Sequence, residues 1–239
     1  MILILKTGST LPNICALFGD FEDWFKEKIQ LENGDYQVYI AGNYDTLPSF
    51  LDYSGIVITG SPLMVTDLEV KNSRLGNWLL DQQRSGIPIL GVCFGHQLLC
   101  VLNGGSIGYN PSGIEIGSAK TNLSQAGKSD QLLGKFPPSF EVYKSHRQSI
   151  AKMPESAEIL AVSDSGIIDA VKYDTNTWGV QFHPEFDADI TKSYIQEKSS
   201  ELIAEELDVP ELLKGVVLVD FGTRLLARFK EIVCNACAD

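Results

Sequence analysis

Short β-rich runs alternate with helix-length segments through the first hundred residues, and that alternation restricts the possible folds more than any other feature. The runs are MILIL (1–5), QVYI (37–40), GIVIT (55–59) and IPILGV (87–92). Strand, helix, strand in this order means βαβ units and a parallel sheet, because parallel neighbours need a long crossover and a helix usually supplies it. Between the last two runs, EVKNSRLGNWLLDQQRSG (69–86) places Leu75, Trp78 and Leu79 at helical spacing and stops at a glycine. It predicts a helix packed on that sheet. From about residue 105 the strand candidates come closer together: IEIGSAKT (114–121), EVYKS (141–145), EILAVS (158–163), IIDAVKY (167–173) and TWGVQF (177–182). These predict a smaller mixed or antiparallel extension of the same domain. After Phe186 the pattern turns helical, in two stretches at 187–206 and 211–233 separated by DVP (208–210). In the second, Leu212, Val216, Val219, Leu226 and Phe229 fall at largely helical spacing, which gives one face to bury.

With 239 residues, no internal repeat and no low-complexity linker, the chain reads as a single α/β domain. Its central, mostly parallel sheet has flanking helices, the antiparallel extension and C-terminal helices. A hydrophobic content of 44% with 21% charged residues is ordinary for a globular enzyme with a sizeable core. Lys and Arg number 19 against 31 Asp and Glu, a net charge of −12 with no basic run, which argues against nucleic acid or an anionic membrane as partner. No stretch approaches the roughly 18 apolar residues of a membrane span. The apolar start is short and lacks a charged leader, so the expected location is cytoplasmic. Five cysteines, Cys15, Cys93, Cys100, Cys234 and Cys237, are odd in number and irregularly spaced, as suits a reducing compartment. Cys234 and Cys237 form a CxxC, but a zinc site needs two further ligands and the three histidines have other uses, so no metal is expected.

Those uses begin at GVCFGHQ (91–97). IPILGV reads as a buried strand and QLLCVLNGG as a helix ending at glycines, so Cys93 sits at a strand-to-helix turn. This is the setting of a nucleophile elbow, whose tight backbone leaves no room for side chains two residues either side of the nucleophile. Gly91 and Gly95 meet that demand. The helix N-terminus lies beneath the sulfur, and the next backbone N–H, that of Phe94, points where an oxyanion forms. A thiol nucleophile needs a proton shuttle. His183 follows the strand TWGVQF and opens HPE, so it stands at a strand end with Glu185 two residues on to fix its tautomer. Cys93, His183 and Glu185 form the candidate triad. His96 reads as packing beneath the elbow.

GVCFGHQ and GVQFHPE resemble the two signature segments of class I, triad-type, glutamine amidotransferase domains. VITGSPLMV (57–65) resembles that family's glycine-rich loop, whose backbone N–H supplies the other half of the oxyanion hole; by position this is Gly60. Many members read Gly-Gly-Pro-Gly there, whereas this chain has Thr59-Gly60-Ser61-Pro62. YKSHRQSI (143–150) resembles the Ser-His turn bordering the glutamine pocket. The resemblance implies substrate contacts from Gln97, Ser145, His146 and Arg147. It covers residues 1–186 as a catalytic domain and leaves 187–239 as a C-terminal helical extension packed on the same domain.

The implied chemistry is attack by Cys93 on the γ-amide carbon of glutamine, a γ-glutamyl thioester, and hydrolysis to glutamate and ammonia, with no cofactor. The chain has no Walker-type phosphate loop and no synthetase domain. One reading is therefore a glutaminase that passes ammonia to a separate acceptor synthetase. A second is a stand-alone γ-glutamyl peptidase or hydrolase, since the TGSP loop and single domain resemble stand-alone members similar to GMP-synthase amidotransferase domains. A third is a binding protein that kept the fold, against which the intact triad speaks.

Overall fold

The computed structural model describes residues 1–41, 47–48, 53–67 and 73–236. Its first half runs β1 (Ile2–Lys6), α1 (Pro12–Phe18), α2 (Phe21–Ile29), β2 (Tyr36–Ile40), β3 (Gly55–Ile58), α3 (Arg74–Arg84), β4 (Ile89–Val92) and α4 (Phe94–Leu102). The middle is strand-rich: β5 (Ser106–Tyr109), β6 (Glu115–Leu123), the short α5 (Gln125–Ser129), β7 (Ser139–His146), β8 (Gln148–Lys152), β9 (Glu158–Ser163), β10 (Ile168–Asp174) and β11 (Thr177–Val180). Four helices close the chain: α6 (Ala188–Glu197), α7 (Ser199–Ala204), α8 (Val209–Lys214) and α9 (Phe221–Ala236).

Nine strands make one sheet in the order β2-β1-β3-β4-β11-β10-β9-β6-β7. The first five are parallel and the remaining pairings antiparallel. This is the α/β architecture expected from the sequence. In β1, Ile2 and Ile4 enter one core with Phe25 of α2 and Phe229 of α9, while Leu3 and Leu5 enter the other with Leu75 of α3 and Leu98 of α4. The period-two alternation of a strand thus splits one apolar run between two helical layers. A third core sits at the antiparallel end, where Ile116 of β6 and Tyr143 of β7 meet Ile195 of α6 and Leu202 of α7. Sequence periodicity did not separate β5 and β8, which pair as a small antiparallel ribbon, nor α1, α2 and α5. The first four residues of the predicted 69–86 helix lie outside the described residues; the helix begins at Arg74, capped by the Ser73 side chain on Gly76 N–H.

The two C-terminal stretches are four helices, not two. DVP is a helix start rather than a separator, since Asp208 caps α8 through Glu211 N–H and Pro210 occupies its first turn. The predicted 211–233 helix is interrupted after Lys214. Gly215 and the β-branched Val216, Val217 and Val219 weaken helix formation, and tertiary hydrogen bonds hold the segment extended. Tyr143 Oη donates to Val217 O (2.8 Å) and accepts from Val219 N–H (3.2 Å), while Val217 N–H donates to Ser118 Oγ (3.1 Å). Among the described residues no helix is long and apolar enough to cross a membrane.

Candidate active site

The chain order reverses at β1, which lies between β2 and β3, and ligands of open α/β sheets bind beyond the strand C-termini at such a switch point. Thr7, Gly60, Cys93 and His183 follow the C-terminal ends of β1, β3, β4 and β11. Thr7 and Thr59 join the first two ends: Thr7 N–H donates to Thr59 Oγ1 (3.1 Å) and Thr7 Oγ1 to Gly60 O (3.1 Å).

Cys93 is a genuine elbow residue, with φ 50° and ψ −102°. An L-residue with positive φ is strained by on the order of 1–3 kcal/mol, so the surroundings must hold it. They do so by close approach: a Cβ on Gly91 would lie 2.6 Å from the Gly95 carbonyl carbon, and one on Gly95 would lie 2.5 Å from Ile58 O. Cys93 N–H donates to Val180 O (2.8 Å), tying the elbow to β11. Phe94 opens α4, where the first N–H groups have no partner within the helix.

His183 Nδ1 lies 2.7 Å from Glu185 Oε1, and both side chains are buried. Burial opposes a charge on His183, but the Glu185 carboxylate, then the charge and hydrogen bond of Cys93, push its pKa up to about 10. The imidazole is stacked on Phe186 (4.0 Å), which stacks in turn on Tyr194 of α6 (4.9 Å). Tyr194 Oη is hydrogen-bonded to Thr10 Oγ1 (2.5 Å). A Cβ on Gly60 would come 3.0 Å from His183 Cε1, so loop and imidazole are in close apposition.

A cleft of about 250 Å³ opens over Cys93 and brings Phe94, Gln97, Ser145, His146 and Arg147 together with it. Gln97 Nε2 donates to Gln148 O (2.7 Å) and Gln181 Oε1 (3.1 Å), leaving its Oε1 as the group able to meet a ligand. Ser145 lines the cleft wall. His146 is held by the protein on both sides: Nε2 lies 3.1 Å from Glu115 Oε2, and Nδ1 lies 3.2 Å from Asn110 Nδ2 and 3.1 Å from Gln148 O. Burial outweighs Glu115 and lowers the His146 pKa. Burial likewise opposes a charge on Glu115, but His146 and the buried Lys144 bring its pKa down to about 2. Arg147 is clamped by Glu201 (2.6 Å) and Glu205 (2.5 Å).

Several site residues escaped sequence reasoning. Gln181 donates to Cys93 Sγ (3.5 Å) and joins it to Gln97; its signal was a buried glutamine just after an apolar strand. Lys198 and Glu201 line the cleft from the C-terminal extension, and their sequence context carries no such signal. His96 is fully buried beneath the elbow, within 3.1 Å of Tyr173 Oη, and burial followed by the influence of His146 lowers its pKa to about 3. Cys100 is buried, which pushes its thiol up to about 12. Cys15 and Cys234 are exposed, and Cys237 lies outside the described residues. Among the described residues no three His, Cys, Asp or Glu side chains gather as metal ligands.

The family model for glutamine amidotransferase class-I matches residues 18–200. The chain belongs to that family. Among its relatives, gamma-glutamyl peptidase 5 of Arabidopsis thaliana is 34% identical over 164 residues, 66% of this chain and 64% of the peptidase. A glutamine-hydrolyzing GMP synthase subunit of Natronomonas pharaonis is 35% identical over 144 residues, 59% of this chain and 71% of its own length. The match to the peptidase thus spans less than two thirds of that protein's length, and the match to the GMP synthase of Petrotoga mobilis only 30%. A glutamine amidotransferase from Thermotoga maritima shares the fold, with a TM-score of 0.73 over 98% of this chain and 97% of that chain at 21% identity.

Proposed function

We propose that the protein is a cytoplasmic, stand-alone γ-glutamyl hydrolase in which Cys93, His183 and Glu185 act as nucleophile, proton carrier and orienting carboxylate. The observation that carries this reading is the His183–Glu185 pair at 2.7 Å beside a cysteine held at positive φ. A reducing compartment keeps such a thiol free.

Cys93 Sγ, as thiolate, attacks the γ-carbonyl carbon while Phe94 N–H and Gly60 N–H take up the developing oxyanion charge. The tetrahedral intermediate collapses, the C–N bond breaks, and His183 gives its proton to the departing nitrogen. A γ-glutamyl thioester is left on Cys93. Water attacks it, losing a proton to His183, and glutamate departs as the thiolate–imidazolium pair re-forms. Gln97 Oε1 accepts from the substrate α-ammonium, and Ser145 flanks the glutamyl chain. His146 and Arg147 support the wall, since their polar groups already face Glu115, Gln148, Glu201 and Glu205. The balance is complete without a metal or organic cofactor.

The resemblance to the Arabidopsis peptidase favours a γ-glutamyl peptide as substrate. The resemblance to GMP synthase subunits supports a second reading, a glutaminase subunit that hands ammonia to a separate synthetase. Product analysis of the purified chain with glutamine and with γ-glutamyl dipeptides separates them. Release of glutamate from dipeptides without any partner is the expected result. Turnover confined to glutamine and dependent on an added synthetase would replace this reading with the second.

A further inference from the structure

Cys93 Sγ has a polar neighbour outside the triad. Gln181 Nε2 lies 3.5 Å from the sulfur, and the residue is fully buried just past the end of β11. The backbone fixes the two residues relative to each other, since Cys93 N–H donates to Val180 O (2.8 Å) and Gln181 N–H donates to Asp169 O (2.8 Å).

Which end of the amide faces the sulfur decides its effect. A carbonyl turned there would accept from the S–H and favour the neutral thiol, whereas an N–H favours the thiolate, the nucleophilic form. A relay of hydrogen bonds fixes the orientation. Gln148 O is a backbone carbonyl and can only accept, so the Gln97 atom 2.7 Å from it is the donor Nε2. The same nitrogen lies 3.1 Å from Gln181, whose atom there is therefore the acceptor Oε1. That leaves Gln181 Nε2 toward Cys93. Gln97, Gln148 and Gln181 are all buried, where reversing one amide would put like atoms together and leave polar groups unpaired.

We propose that Gln181 is a further catalytic residue that donates a hydrogen bond from its amide to the Cys93 thiolate, with its donor end held toward the sulfur by Gln97. The bond is weakest in the thioester, where the sulfur is neutral, and regains strength as the thioester breaks, so it assists departure of the sulfur. This deepens the hydrolase reading above and rests on Cys93 being its nucleophile.

The test follows alkylation of Cys93 by iodoacetamide across pH on the full-length protein, with peptide mapping to separate it from the exposed Cys15 and Cys234. Gln181→Met removes the amide at similar side-chain length and should move the acid limb of labelling up by about 1 pH unit, the size expected for a hydrogen bond to a charged group. Gln97→Met should move it the same way by less, and should add nothing on top of Gln181→Met, because it acts through that residue. A side chain that only filled space would change melting and leave the limb in place. An unmoved limb in Gln181→Met overturns the proposal. Where thermal melting shows that this variant is disturbed, Gln97→Met decides, since it leaves Gln181 in place, and an unmoved limb there overturns the proposal equally. Additive shifts in the double variant would overturn the part assigned to Gln97. The acid limb of kcat/KM on γ-glutamylglycine should move with that of labelling. A shifted labelling limb with no turnover on any γ-glutamyl compound would keep Gln181 on the sulfur and defeat the hydrolase reading instead.

Discussion

The floor of the cleft and its rim are built in opposite ways. The floor, Cys93 with His183 and Glu185, comes from two short segments at the ends of neighbouring strands β4 and β11, and Glu185 is fully buried. The rim joins Arg147, just past β7, to the six-residue α7 and the residue after it through Glu201 and Glu205, whose side chains are 47% and 32% exposed. Charges in a buried site keep their strength when salt is added, whereas half-exposed ion pairs are screened. Under the proposed function the floor carries turnover and the rim tunes binding, and each part can be broken separately.

Deleting everything after Asp208 should have the largest effect, because it attacks the support of the floor. Helix α9 buries Phe221, Leu225, Leu226, Phe229, Ile232 and Val233. Each such side chain contributes about 1.5–3 kcal/mol on burial, so together they match the ~5–15 kcal/mol stability of a whole domain. The helix also touches the site's own segment, since a Cβ on Gly222 would fall 2.1 Å from Pro184 O. The truncated chain should lack cooperative thermal melting. A soluble truncation with unchanged melting would show that the C-terminal helices are not part of the core.

Cys93→Ala should lower turnover by about 10⁴-fold or more while leaving melting nearly unchanged. Near-normal rates with this variant would end the catalytic reading of the floor. Glu185→Gln should cost about 10³- to 10⁴-fold, by loss of the tautomer and orientation that the carboxylate enforces. Its pH behaviour sharpens the point. His183 is raised from 6.5 to about 10, so its imidazolium stabilises the fold fully below about pH 6.5. That contribution, and with it the alkaline limb of kcat/KM, is lost as pH rises through about 10. In Glu185→Gln the limb should move to lower pH; a limb that stays put would mean that Glu185 does not set the His183 proton affinity.

At the rim, Glu205→Gln removes one of the two carboxylates on Arg147 and should change KM by no more than about 3-fold, with kcat retained and the difference fading in high salt. A large fall in kcat would mean that the rim reaches into the chemistry and that the two regions are not separable.

The parallel strands and the elbow were legible in the sequence because both depend on residues close together in the chain. IPILGV followed by GVCFGHQ specifies strand, turn and helix, and the two glycines record how closely Ile58 and α4 pass. HPE carried His183 with its orienting carboxylate for the same reason. The interruption of the last predicted helix was not legible, because Val216 and Val219 keep helical spacing and the hydrogen bonds that hold Val217 and Val219 extended come from Tyr143 and Ser118, distant in the chain. Nor was the rim. Lys198 and Glu201 on a short polar helix have the pattern of any solvated surface, and Gln148 that of any strand start. By itself the sequence singled out the candidate nucleophile, the imidazole and its carboxylate, since these are short-range patterns. Only the tertiary structure decided which charges surround them, because the packing of α6 and α7 on β6 and β7 brings the C-terminal extension over a cysteine more than a hundred residues earlier.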